Sequence, residues 1–344
     1  MRLPWTSARR IATDVAARFV GLVRQGEIAR ADPLIFDARI EHHGAVLGYY
    51  HLFTAESMKQ TTDWLESAVY VAEAEKQHPI DACHLALSQF HAFLVTGDAR
   101  ARDGFLQRMR VLFDAGQEAT LEGVDCFVMP HVDQVEDYEP HHKPHLNAMV
   151  QGWMGALLLR AHQLAPDDRY VAAARRVTGP FLVPVERGGV LGRLPHGAPF
   201  YEKYPFPGQT KHVLNGFLSS LFGLHDLARA TGDERARSLF EQGIATLSDE
   251  RTMRLFDNGY CTLYDLGGGR RTTPAGRFYT WVHARQLAGL SRITGSQELW
   301  RWAERWRDYV FKKRYRVQSR ADTVRFRAAR IPRYVKRTLG PRDE

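Results

Sequence analysis

Four short breaks, Thr96-Gly97-Asp98, Ala165-Pro166-Asp167-Asp168, Thr231-Gly232-Asp233 and Thr294-Gly295-Ser296, each separate an apolar stretch from a more polar one rich in arginine and small residues. Each break reads as a helix stop followed by a helix start. Glycine accommodates the left-handed C-terminal position, and aspartate or serine caps the helix that follows. Before the third break, Val213, Leu214, Phe217, Leu218, Leu221, Phe222, Leu224 and Leu227 cover most of a helical circumference; after it, Ala236, Leu239, Phe240, Ile244 and Leu247 make a narrower stripe beside Arg235, Arg237 and Glu241. The first helix of a pair is expected to be sandwiched and the second to keep one wet face. The pairs recur at roughly 65 residues, too long for a tetratricopeptide unit of about 34, so long inserts must separate the hairpins.

This alternation predicts a mainly α chain, an α/α toroid or incomplete (α/α) barrel of helical hairpins, which holds the long inserts better than a solenoid or an irregular bundle. The expected division is an N-terminal arm over 1–50, the toroid over 51–311 and a basic tail over 312–344. From Gly188 to Pro207 and from Phe256 to Thr273 the chain turns to Gly, Pro, Tyr and β-branched residues, which predicts short β-hairpins. Both inserts precede an apolar helix, so they are expected at one mouth of the ring, where a functional cleft would lie.

Charge is unevenly placed. The 344 residues carry a formal net charge of +8, but Lys312 to Glu344 holds twelve Lys or Arg against three acids, which leaves the preceding body near −1. The basicity therefore belongs to the tail. It points away from nucleic acid and toward a peripheral contact with an anionic membrane, a partner or a polyanionic glycan. A hydrophobic share of 44% excludes disorder as the main state. No long uncharged apolar run and no convincing signal peptide is read, and Cys83, Cys126 and Cys261 form no Cys-x-x-Cys pair, so a reduced, cytoplasmic compartment is expected. His131, His141, His142 and His145 lie among Asp133, Glu136, Asp137 and Glu139 with no zinc spacing, and no metal site is read there. His84 and His91, seven apart on an apolar helix, are expected on an interior or ring-lining face.

The inserts concentrate the residues able to do chemistry. The first ends Tyr201-Glu202-Lys203-Tyr204-Pro205 and leads to Lys211-His212; the second contains Thr262-Leu263-Tyr264-Asp265-Leu266; the next apolar helix opens Arg277-Phe278-Tyr279 and continues to His283, Arg285 and Gln286. Tyr, Lys, Arg and His from three segments suit a sugar acid, because aromatic faces pack on pyranose rings and cations neutralise a carboxylate. A phenol can carry a proton where neighbouring cations lower its pKa from about 10.

These segments resemble the C-terminal catalytic domain of the D-glucuronyl C5-epimerases. The resemblance runs from about Leu146 to Tyr309 and is carried by Ala148-Met149-Val150-Gln151-Gly152, Tyr201 to Pro205, Val213-Leu214-Asn215-Gly216-Phe217, Gly223-Leu224 with Asp226-Leu227, Thr262 to Leu266, and Tyr279 with His283 and Gln286-Leu287. It implies an α/α toroid that inverts C5 of a glucuronate residue within a polymer, heparosan being the family's type of substrate, by exchanging the C5 proton without a redox cofactor.

Carried over by position, Tyr204, Tyr264 and Tyr279 match the family's cleft tyrosines, and Glu202 is the nearest carboxylate. Lys203, Lys211, His212, Asn215, Gln151, Arg277, His283 and Arg285 are the expected substrate-binding residues. Two departures stand out. Lys203 occupies the place of a family carboxylate, and Gly267 that of a basic residue. In an extended run Glu202 and Lys203 should face opposite ways, which argues against a simple replacement. A uronate lyase on a related ring, or a glycan-binding protein that has lost the base, are the alternatives. The role of residues 1–140, including a homodimer contact, is left open.

Overall fold

The computed structural model describes residues 29–30, 32–36, 79–130, 144–268 and 271–328. Most of the expected N-terminal arm, the segment 51–78, His131, His141, His142, and the end of the tail with Pro332 lie outside the described residues.

All four breaks fall between helices. They join α1 (Pro79–Thr96) to α2 (Ala99–Ala115), α3 (Ala148–Leu164) to α4 (Asp168–Arg176), α5 (Leu214–Thr231) to α6 (Glu234–Ser248), and α8 (Gly276–Thr294) to α9 (Gln297–Phe311), with α7 (Glu250–Phe256) following α6. The caps are those the sequence implies. Gly232 and Gly295 take φ of 65° and 71°, and Asp98, Asp167, Asp233 and Ser296 each accept a backbone N–H of the following helix.

Within each pair the two helices pack together, and in chain order α1 packs on α3, α3 on α5 and α5 on α8. The described structure is thus mainly α. The first helices are buried nearly all round, as α3 is from Ala148 to Ala161. The second helices bury a stripe, Ala236, Leu239, Gly243 and Leu247 on α6, and Leu299, Ala303 and Trp306 on α9. The helices α3 and α5 approach closely through glycine: a Cβ on Gly223 would stand 2.0 Å from the Gly152 carbonyl oxygen, and one on Gly152 2.9 Å from Ser220 Cα. A buried ion pair, Arg160 to Asp226 at 2.6 Å, bridges the same two helices. Burial is the largest influence and opposes the Asp226 charge, but Arg160 and His225 together outweigh it and hold the carboxyl below its ordinary range.

Both expected inserts form antiparallel hairpins, β3 (Leu191–Arg193) with β4 (Pro199–Tyr201), and β5 (Leu263–Asp265) with β6 (Thr273–Pro274). A further hairpin, β1 (Gln117–Leu121) with β2 (Val124–Val128), follows α2 and was not anticipated. The start of the basic tail forms α10 (Lys313–Ala328), which packs on α8, α9 and β6. No described helix is long and apolar enough to cross a membrane.

Candidate active site

The first insert is seated before any functional group is placed. Phe200 of β4 stacks 4.3 Å from Phe217 of α5 and 5.9 Å from Phe256 of α7, centroid to centroid. The hydroxyl of Tyr201 donates to the Leu239 carbonyl at 2.7 Å. Burying aromatic rings of this size contributes roughly 2–3 kcal/mol each. It also fixes the backbone of the two residues that follow.

Those two residues diverge. Glu202 is fully buried, and its carboxylate accepts from the His212 backbone N–H at 3.2 Å and pairs with His212 Nδ1 at 2.5 Å. Burial raises the Glu202 pKa, and the His212 contacts oppose that rise without cancelling it. His212 sits at φ 54°, a left-handed conformation that histidine tolerates better than most residues and that the Glu202 pairing holds in place. Glycine at 192 makes room, since a Cβ there would meet Glu202 Oε1 at 2.5 Å.

Lys203 points to the other side. Its Nζ donates to the Tyr264 hydroxyl at 3.1 Å and lies 5.2 Å from the Tyr204 ring centroid and 5.8 Å from that of Tyr264. The Lys203 stem crosses α5 at Gly216, where a Cβ would stand 2.8 Å from Lys203 Cβ. The ring of Tyr264 meets that of Tyr279 edge-on at 4.6 Å. The three tyrosines are partly exposed, so a ligand can reach them.

Beneath Tyr279, one turn along α8, His283 is buried with Nδ1 2.7 Å from Thr262 Oγ1, and its Nε2 has no hydrogen-bond partner among the described residues. Burial drives its pKa down to about 3, so the ring is neutral. One further turn on, Gln286 Nε2 donates to the Asn215 carbonyl at 3.2 Å and to Ser219 Oγ at 2.8 Å, fastening α8 to α5. The second insert is tied to the first by Leu266 N–H donating to the Lys211 carbonyl at 2.7 Å.

The structure therefore gathers Lys203, Tyr204, Tyr264 and Tyr279, with His283 beneath Tyr279, while Asn215 is placed by its carbonyl, which accepts from Gln286. Glu202 and His212 brace the insert from its buried side, and Lys211 does so through its carbonyl. Gln151 is placed elsewhere: it accepts from Met129 N–H at 3.0 Å and donates to the Phe127 carbonyl at 3.0 Å, holding β2 on α3. Arg277 donates to the Ala29 carbonyl at 2.8 Å, and Arg285 to those of Pro33 and Ile35 at 3.3 and 2.8 Å, on the face of α8 turned to residues 29–36.

Two histidines outside the expected set join the group. His145 lies 6.1 Å from the Tyr204 ring and 4.8 Å from that of Phe206. His84 of α1 stands edge-on to Trp153 at 4.5 Å, and burial followed by the charge of Lys203 pushes its pKa down to about 4. The sequence signal for His84 was its spacing of seven from His91 on an apolar helix, which placed both on an interior or ring-lining face.

Comparison with known proteins places this geometry. A family model described as the D-glucuronyl C5-epimerase C-terminus matches residues 125–308, a span that holds both seated inserts and every tyrosine of the group. The chain is 33% identical over 192 residues to a D-glucuronyl C5-epimerase of Caenorhabditis elegans, covering 49% of this chain and 29% of that protein. It is 27% identical over 170 residues to an uncharacterised protein of Methanocaldococcus jannaschii, covering 46% of this chain and 53% of that one. It thus spans about half of the archaeal relative and under a third of the nematode one. With more than half of its length matched, and the matched words placed around one cluster of tyrosines, the chain belongs to the D-glucuronyl C5-epimerase C-terminal family.

Proposed function

We propose that this protein is an isomerase that inverts C5 of glucuronate residues within an anionic polysaccharide, giving iduronate, with heparosan-type chains as the first substrate to test. The observation that carries the reading is the contact between Lys203 Nζ and the Tyr264 hydroxyl, with Tyr204 under the same ammonium and Tyr279 against Tyr264. The order of helix packing supports an α/α toroid, with α1, α3, α5 and α8 lining it and both inserts at its mouth.

The C5 hydrogen lies α to a carboxylate, so its removal builds a second negative charge on an anion. Stabilising that charge is the main requirement, and Lys203 is the cation placed for it. A phenol accepts a proton only as phenolate, which an ammonium at hydrogen-bond distance also favours. Inversion needs one proton carrier on each ring face, a role assigned here to Tyr204 and Tyr279 with Tyr264 relaying between them and Lys203. Glu202 acts by bracing the insert rather than by touching substrate. No redox step occurs, so no redox cofactor is needed.

The position of Lys203 keeps one rival in view, a glycan-binding protein without the base, and the shared first step keeps another, a lyase. Incubation in heavy water with heparosan-type and other uronate polymers separates them. Deuterium at C5 and an altered glucuronate to iduronate ratio, without ultraviolet absorbance, is expected. Absorbance from unsaturated ends would identify a lyase, and neither signal across the panel would leave only binding. Tyr204→Phe and Tyr279→Phe should each lower exchange by about a hundredfold or more.

A further inference from the structure

The helix α10 lies beyond the segment that matches the family, which ends at residue 308. It is nevertheless seated on the body at the second insert. Ser319 is buried, Thr323 Oγ1 lies 3.4 Å from where a Cβ on Gly276 would stand, and the Tyr260 hydroxyl donates to Asp322. This docks α10 across the first turn of α8. Arg316 and Arg320 each lie one turn before a docked residue, Ser319 and Thr323, so they flank the contact with α8.

What collects there is positive charge. Arg277 stands in the first turn of α8, whose N-terminus has no side-chain cap and carries the positive end of the helix dipole. Burial and then the charges of Arg316, Arg320 and Arg30 push the Arg277 pKa below its ordinary value, and its buried Nε has no hydrogen-bond partner among the described residues. Among the described residues neither Arg316 nor Arg320 makes an ion pair. Asp322, the one acid between Lys312 and Phe326, is held by Tyr260 and by Arg325 at 3.7 Å. Like charges gathered at a helix N-terminus repel one another, and a bound anion turns that repulsion into attraction.

Residues 277 and 279 are about 200° apart around α8, so Arg277 does not share the face of Tyr279. An anion at Arg277 is therefore a different group from the carboxylate of the reacting sugar. We propose that Arg277, Arg316 and Arg320 form an accessory anion site that holds a carboxylate of the polymer at a sugar away from the one being inverted. The proposal rests on the reading above that the substrate is an anionic polysaccharide. It makes the chain a length-sensing enzyme, in which polymers long enough to bridge both sites bind more tightly than fragments that fill only the tyrosine cluster.

The test compares the full chain with its Arg316→Gln/Arg320→Gln variant, and with Arg320→Gln alone should the double variant melt early. Binding of a long heparosan-type polymer and of a tetrasaccharide cut from it is titrated at two salt concentrations, alongside KM and kcat for C5 exchange. The expected result is a polymer affinity about tenfold weaker and less salt-dependent, a KM for polymer raised to match, and tetrasaccharide affinity and kcat unmoved. Equal polymer affinity in the two proteins, an equal loss on the tetrasaccharide, or no polymer binding by the unmodified chain would overturn the proposal. So would loss of anionic-vesicle binding with polymer binding kept, which would assign the arginines and the exposed Val317 and Val324 to a membrane surface. An arginine-dependent gap in binding without any exchange would leave the accessory site standing and remove the epimerase reading.

Discussion

Lys203 reaches Tyr264 because residue 216 has no side chain. With alanine there, the Lys203 stem would have to leave the surface of α5, so the glycine of the Val-Leu-Asn-Gly-Phe word is a clearance for a functional lysine. His283, directly beneath, sets a pH response. Its pKa is near 3 in the fold against about 6.5 in an unfolded chain, so as pH falls through that window the unfolded state takes up a proton that the native state refuses. Stability is present in full above pH 6.5 and declines below it, by about 2 kcal/mol at pH 5 from this residue. His84, down to about 4, acts in the same direction. The thermal midpoint of the protein should drop between pH 7 and pH 5, and His283→Asn should flatten that dependence; superimposable slopes would show that His283 is not the group concerned. Tyr204 and Tyr264 were legible in the sequence because they sit in turn-rich inserts, and Tyr279 because it opens the helix after the second insert beside Arg277. Arg285 sits about 120° around α8 from Tyr279, and the structure turns it to the carbonyls of Pro33 and Ile35 and away from the tyrosines.

At the scale of elements, the join between α3 and α5 depends on backbone atoms that cannot give way. Gly223→Ala would bring Cβ to 2.0 Å from the Gly152 carbonyl and should cost about 3 kcal/mol in urea unfolding. Gly232→Ala, at φ 65° with open space around it, should cost about 1 kcal/mol, from backbone strain alone. Equal losses for the two would refute close approach as the reason for Gly223. Helix existence and the caps were readable because Gly-Asp and Gly-Ser at the breaks do local work. The β1–β2 hairpin was not: its turn is Glu122-Gly123 at φ 49° and 78°, and glutamate is an unusual first residue for a turn of this kind, where Asn or Asp is the usual signal.

For the whole molecule, one continuous apolar core runs from Phe90, Phe105 and Met109 of the first pair through Met149 and Phe217 to Leu299 and Trp306 of the last. The family match begins only at residue 125, after α1 and α2. Those helices cover α3, and α1 also brings His84 to the site, so the matched segment is less than the folding unit. A fragment of residues 125–311 should bind a hydrophobic dye and melt without a cooperative transition, whereas the full chain should melt cooperatively. A cooperative fragment with no dye binding would show that the first pair is dispensable.

The sequence by itself determined the helical pairs, their caps, the inserts before α5 and α8, the placing of the positive charge after residue 311 and the family. These follow from interactions within a few residues: periodic burial, the φ that glycine allows, and the order of short words. Only the tertiary structure decided what each inserted residue meets. Glu202 goes to His212 and Lys203 to Tyr264 because stacked Phe200 fixes the strand that precedes them. Arg277 gathers with Arg316 and Arg320 because α10 docks on the first turn of α8. Contacts between segments this far apart depend on how helices pack, and a local pattern carries no information about a partner that packing alone brings near.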